Sequence, residues 1–229
     1  MKLIRLTDRI WYYPYEAERD RPNLGYIRGD QWSLAVDAGH SALHTGEFYR
    51  ALNEAGLPLP EVTVLTHWHW DHTFGMHAVH GLCVSGERTK QHLIGFKEKL
   101  RAEGTEMFFA MHESIRREYA SGQNVVVTLP DMVFTGELTM DLGGCSVRLF
   151  GTESPHTDDS TLVFVPEERV LFMGDAEGGV FPTWEKDPAL CQKLADTVLP
   201  IDAGIVLESH WEPVSKPEFM RDLMEDAQA

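Results

Sequence analysis

The 229 residues suffice for one or two ordinary domains, and 43% of them are apolar, enough for a sizeable core. Lys and Arg number 20 against 36 Asp and Glu, a net charge of −16, which argues against nucleic acid or an anionic membrane as partner, since both are polyanions. Glycine (19) and proline (12) stand at ordinary levels, so neither disorder nor a collagen-like repeat is expected.

Near the start, Arg5 and Asp8 interrupt any apolar run, which leaves no secretory core. No segment approaches the roughly 20 apolar residues of a membrane helix. Short β-like runs come first, at 3–6, 10–13, 24–28 and 32–36. Helical periodicity spans 43–55 and is stopped by Gly56 and Pro58. A compact buried strand follows at 62–66. From Glu87 to Ala120 the pattern is helical, broken at Gly104, with Leu93, Phe96 and Leu100 on one face and Phe108, Met111, Ile115 and Tyr119 on another. Strands resume at 132–134, 138–142, 146–150, 161–165 and 170–173; a helix over 188–199, a strand at 205–207 and a helix from Lys216 close the chain. With no linker or repeat, this predicts mixed α and β layers in one domain over 1–229. Cys83, Cys145 and Cys191 are far apart and form no paired motif; they read as small buried residues of a protein in a reducing cytoplasm.

Three of the eleven histidines fall within six residues, in Thr66-His67-Trp68-His69-Trp70-Asp71-His72. An extended chain here puts His67, His69 and Asp71 on one side and Trp68 and Trp70 on the other, with His72 opening a helix. Imidazoles and a carboxylate crowded at a strand end suit a divalent ion such as zinc. Three further strands end in a ligand type: His156 in Ser-Pro-His-Thr-Asp-Asp-Ser, Asp175 in Gly-Asp-Ala, and His210 in Ser-His-Trp. Strand C-terminal edges are where α/β proteins collect ligands. His40, His44, His77, His80, His92 and His112 show no such pattern and are assigned to structure.

The ordered set of Asp37 in Val-Asp-Ala-Gly, the 67–72 block, His156, Asp175 and His210 resembles the metallo-β-lactamase-fold superfamily from about Leu24 to Trp211. The resemblance implies an α+β fold, a four-layer αββα sandwich with the metals at one edge and a helical insertion at about 86–123. It implies two divalent ions, zinc foremost with iron or manganese as alternatives. His67, His69 and His156 would hold one and Asp71, His72 and His210 the other, with Asp175 bridging. Asp37 would orient the first cluster through hydrogen bonds. The implied activity is that of a dinuclear zinc hydrolase, in which a metal-bridging hydroxide attacks a small-molecule ester, thioester, lactone or phosphoester and Asp71 orients the nucleophile or shuttles its proton. His69 sets the chain apart from flavodiiron proteins, which resemble it but carry Glu there, and Asp175 sets it apart from true lactamases. Only Lys216 and Arg221 supply basic charge after His210, too little for the glutathione grip of glyoxalase II. An iron-dependent persulfide dioxygenase, using His67, His156 and Asp175, is the alternative from another class; a non-catalytic metal-binding protein is the third.

The 86–123 block holds seven of the twenty basic residues, Arg88, Lys90, Lys97, Lys99, Arg101, Arg116 and Arg117. Two readings stand. In one, the block roofs the site, with Phe96, Met107, Phe108, Met111 or Tyr119 lining an apolar pocket and the basic residues guiding an anionic substrate. In the other, the apolar residues pack the helices and the basic ones pair with nearby Glu. Glu208 and Asp159 adjoin ligand positions, and Trp68, Trp70, Trp184 and Trp211 flank the motifs.

Overall fold

A computed structural model describes residues 1–228. The first sheet takes its seven strands in chain order: β1 (Ile4–Arg5), β2 (Ile10–Tyr13), β3 (Leu24–Arg28), β4 (Ser33–Val36), β5 (Val62–Val64), β6 (Leu82–Gly86) and β7 (Met132–Phe134). The strands β1 to β4 pair antiparallel, whereas β4 to β7 pair parallel. Parallel neighbours need a long crossover, and the helices supply it. Between β4 and β5 lies α1 (Ala42–Glu54), and between β5 and β6 the single turn α2 (Trp70–Thr73). The helical block, α3 (Glu87–Glu103), α4 (Glu106–Phe109) and α5 (Glu113–Glu118), is the crossover from β6 to β7. Gly104, at φ +80, ends α3 where the sequence places the break.

The second sheet holds β8 (Glu137–Asp141), β9 (Ser146–Thr152), β10 (Ser160–Val165), β11 (Val170–Gly174), β12 (Ile205–Glu208) and β13 (Val214–Ser215), ordered β13-β12-β11-β10-β9-β8. Only β11 and β12 are parallel, joined through α6 (Pro188–Val198); α7 (Lys216–Asp226) follows β13. Asp187 caps α6 by accepting from the Ala189 amide, with proline at the first helical position, where its missing N–H costs nothing.

Period-two alternation builds the layers. In β10, Val163 and Val165 meet Leu34, Val36 and Val64 between the sheets, while Leu162 and Phe164 meet Leu194 and Leu223 of the outer helices. Both faces of β10 and β11 are covered, which is why these strands read as unbroken apolar runs. On the far side, α1 lays Phe48 and Leu52 on Leu24 and Tyr26, and the helical block closes over Leu65 and Phe74 with Leu93, Phe96, Phe108 and Ile115. Helices, sheet, sheet, helices is the four-layer αββα order, and the fold class is α+β as expected. The sheets approach so closely at Gly25 that a Cβ there would stand 2.6 Å from the Phe172 ring. No helix of the described residues is long and apolar enough to cross a membrane.

One buried ion cluster ties the layers together. Arg21 is wholly buried. Its guanidinium grips Glu118 of α5 through two bonds of 2.7 and 3.1 Å and reaches Glu47 of α1 at 2.9 Å and Glu16 at 3.1 Å. Glu118 also accepts from the Ser41 hydroxyl at the α1 N-cap. Removing one partner of a buried pair strands the other charge at a cost of about 3–5 kcal/mol. Arg21→Met is therefore expected to lower unfolding stability by about that amount in urea titration. The double variant Arg21→Met/Glu118→Gln is expected to recover most of the loss.

Candidate metal centre

The expected extended run past β5 does not continue. The strand ends at Val64, and α2 begins at Trp70 with His69 at its N-cap. Asp71 and His72 thus sit on a helical turn, and Asp71 parts from His67 and His69 instead of sharing their side. Trp70 packs edge-on to Phe108 and Phe181. The loop after β9 brings in His156, the end of β11 Asp175, and the end of β12 His210.

The structure brings all seven residues together as two groups, His67, His69 and His156 beside Asp71, His72, Asp175 and His210. In the first, His69 Nδ1 lies 3.1 Å from His67 Nε2 and 2.8 Å from His156 Nε2. Their protons are elsewhere. The Nδ1–H of His156 donates to the Gly179 carbonyl at 2.8 Å, and a carbonyl only accepts. That of His67 faces the Thr66 hydroxyl at 3.1 Å, whose own hydrogen goes to Asp37. Two imidazole lone pairs therefore converge on a third imidazole nitrogen. Burial, with the imidazoles crowding one another, keeps two of these rings neutral: His67 is pushed well below the usual range and His69 down to about 3.

In the second group, Asp71 Oδ2 stands 3.1 Å from both His72 Nε2 and His210 Nε2. His72 donates its Nδ1–H to Asp37 at 2.8 Å, which turns its Nε2 towards two carboxylates. That Nε2 and Asp175 Oδ1 are buried without a hydrogen-bond partner. Burial opposes charge on His72 and His210, yet Asp71 and Asp175 outweigh it; His72 is raised well above its usual range and His210 to about 10. The two carboxylates are held well below theirs, against their own burial, by His72 and His210. Asp175 Oδ2 lies 3.3 and 3.4 Å from His72 and His210 and 3.7 and 4.0 Å from His156 and His67, within reach of both groups. A buried assembly of nitrogen and oxygen acceptors that starves for positive charge fits two divalent ions.

Asp37 supports both groups. At φ +66, in the left-handed region open to Asp, it accepts from the Thr66 amide at 2.7 Å and hydroxyl at 2.9 Å as well as from His72. Its bond to His72 falls within the 67–72 block to which the sequence reading attached it, and Thr66 carries its influence to His67. Gly174, at φ +60, keeps this corner open, since a Cβ there would lie 2.7 Å from Thr66.

A cavity of about 350 Å³ opens onto the two groups. Phe181, Trp184, Trp211 and Trp70 form its apolar wall, and Asp20, Glu177, Lys186 and Glu208 its polar one. No residue of 86–123 lines it. The roof reading is therefore set aside, because Phe96, Phe108 and Tyr119 are consumed in the core, with Met107 and Met111 packed against it. Three of the block's seven basic residues are held in ion pairs. Arg88 pairs with Glu153 at 2.9 Å, and Arg116 and Arg117 pair with Glu113. The loop 176–185 does the covering instead, and it carries Glu177, which the sequence reading missed although it lies two residues from Asp175. Asp20 and Lys186 were missed too. Asp20 accepts from the Trp70 indole at 3.3 Å and is raised by burial and by Asp71. Glu208 is pushed up to about 8 by burial and by Glu177. Asp159 bonds Thr157 at 2.6 Å and joins His92 and Asp158 in a third, more exposed group. The other spare histidines make structural contacts, such as His40 with the Arg19 carbonyl and His80 with that of Pro60.

No curated protein matches the chain significantly. Among solved structures, a metallo-beta-lactamase from Pontibacter korlensis is 19% identical with a TM-score of 0.68, covering 99% of this chain and 98% of its own. A metallo-beta-lactamase family protein from Thermus thermophilus is 18% identical with a TM-score of 0.70, covering 98% and 81%. The DIM-1 metallo-beta-lactamase is 16% identical with a TM-score of 0.71, covering 99% and 96%. At such identities the likeness is one of fold. The sequence profile of the metallo-beta-lactamase superfamily matches residues 19–210, a span that runs from before Asp37 to the last residue of the two groups, and the chain belongs to that superfamily.

Proposed function

We propose that the protein is a cytoplasmic hydrolase with two divalent ions, zinc foremost, that cleaves a small ester, thioester, lactone or phosphoester. The convergence of two acceptor groups on Asp175 Oδ2 carries this reading, because one carboxylate within reach of both groups suits a paired centre. His67, His69 and His156 would hold one ion, Asp71, His72 and His210 the other, and Asp175 both. Bound there, the ions supply Lewis acidity to a substrate oxygen and to water.

The chain's own groups set the rest. Asp71 faces the cavity with one oxygen on His72 and His210, positioned to orient water or take its proton. Asp37 and the Gly179 carbonyl fix ring orientation at His72 and His156, so that nitrogen lone pairs face inward. Phe181 and Trp184 give the cavity an apolar lining. Side-chain thiols are no rival nucleophile: Cys83, Cys145 and Cys191 are buried away from the cavity, and burial raises each.

Elemental analysis with hydrolysis assays on thioester, lactone and phosphodiester panels is the test. Two equivalents of metal with turnover are expected; one equivalent of iron without hydrolysis would sink the reading. His69→Ala and Asp175→Ala are each expected to lose at least one equivalent of metal and to fall to the buffer rate, and full activity in either refutes the site.

Outer-shell partners typically contribute 10–100-fold in metal affinity. Asp37→Asn should therefore weaken binding by about that factor in competition with a chromophoric chelator. Stripping the metal should lower the thermal midpoint, since an ion at about 100 times its Kd contributes about 2.7 kcal/mol.

A further inference from the structure

Lys186 is the one lysine or arginine that lines the cavity. Its ammonium is already engaged, by the Glu177 carboxylate and by Asp226 of α7 at 2.6 Å. Two carboxylates against one ammonium leave this corner with surplus negative charge, and Asp20 lines the same cavity. Aromatic rings line the same cavity. Trp184 and Trp211 remain 61% and 63% exposed, and Phe181 packs edge-on to Trp184 with ring centres 5.7 Å apart. A substrate whose reacting bond lies at the ligand groups must place its remaining bulk between these surfaces. There it gains apolar contact and meets carboxylates that no free cation offsets.

We propose that the cleft selects substrates whose group remote from the reacting bond is apolar and uncharged or cationic, and rejects those with an anion there, with Glu177 setting this selectivity by holding Lys186 away from the substrate. The proposal deepens the hydrolase reading and rests on it for the kinetic half of its test only. Like charges held a few ångströms apart at a partly wet protein surface repel by about 1–2 kcal/mol, a factor of about ten. A cation near Trp184 and Trp211 is instead favoured by the ring faces.

The test uses three benzyl thiols of similar size in which the thiolate is the metal anchor and the para substituent is methyl, carboxylate or trimethylammonium. Binding to the zinc-loaded protein is read from the fluorescence of the cleft tryptophans, and the acetyl thioesters of the same thiols give kcat/KM. The carboxylate is expected to bind and react about ten-fold more weakly than the methyl compound, and the trimethylammonium at least as well as the methyl. Glu177→Gln removes one of the two carboxylates on Lys186, leaving it paired with Asp226 alone, and is expected to shrink the carboxylate penalty to about two- or three-fold, whereas Lys186→Met leaves Glu177 uncompensated and deepens it. Equal binding of the carboxylate and methyl thiols overturns the proposal. So does an unchanged penalty in both variants at unchanged metal content. If the thiols bind with the predicted order and no thioester turns over, the selectivity stands and the hydrolase reading falls.

Discussion

The structure depends on an electrostatic misfit that it is built to hold. Seven imidazole and carboxylate groups converge with more lone pairs than protons, because the hydrogens that would relieve them are committed outward, to Gly179, Thr66 and Asp37. Each buried acceptor without a donor costs on the order of 1–3 kcal/mol, and His72 Nε2 and Asp175 Oδ1 are two such atoms. Side chains alone would rotate to escape. They cannot, because their backbones leave two packed sheets at the ends of β5, β9, β11 and β12 and their outer nitrogens are pinned. The core between the sheets is thus the reason this arrangement of acceptors persists.

The same logic explains how a chain of net charge −16 can host an electron-rich reaction centre. Long-range charge is screened within about 10 Å at ordinary ionic strength, so the surface total says little about the cavity. What counts is local: the donor groups on one side, the Glu177–Lys186–Asp226 cluster on the other. Of the basic residues of the helical block, Arg88, Arg116 and Arg117 spend their charge on Glu153 and Glu113.

Sequence alone revealed the features whose signal is local. Strands β10 and β11 announce themselves because both faces are buried, α6 because Asp187 and Pro188 open it, and the ligand set because its residue types are unusual and sit at strand ends. Strand β6 went unread: Leu-Cys-Val-Ser-Gly has one exposed end and ordinary polar residues, and it becomes a strand through its parallel neighbours β5 and β7. Period-two geometry failed at Asp71 because the turn of α2 starts at Trp70, whose burial against Phe108 and Phe181 is a tertiary event. Arg21 with Glu118, 97 residues apart, and Glu177 with Lys186 and Asp226 had no local signal at all.

That division has a consequence for how the site is organised. The ligand motifs are short and local. The wall that faces them is assembled from distant segments. A single loop links the two: Gly179 fixes His156 through its carbonyl, Glu177 and Lys186 carry the charge of the wall, and Asp226 of α7 ties that loop to the outer helices. A change in α7 can therefore reach both the charge offered to a substrate and, through the loop backbone, the ring orientation of His156, without touching any ligand-bearing motif. The packing of a surface helix is thereby coupled to the cavity wall and to His156 through one loop.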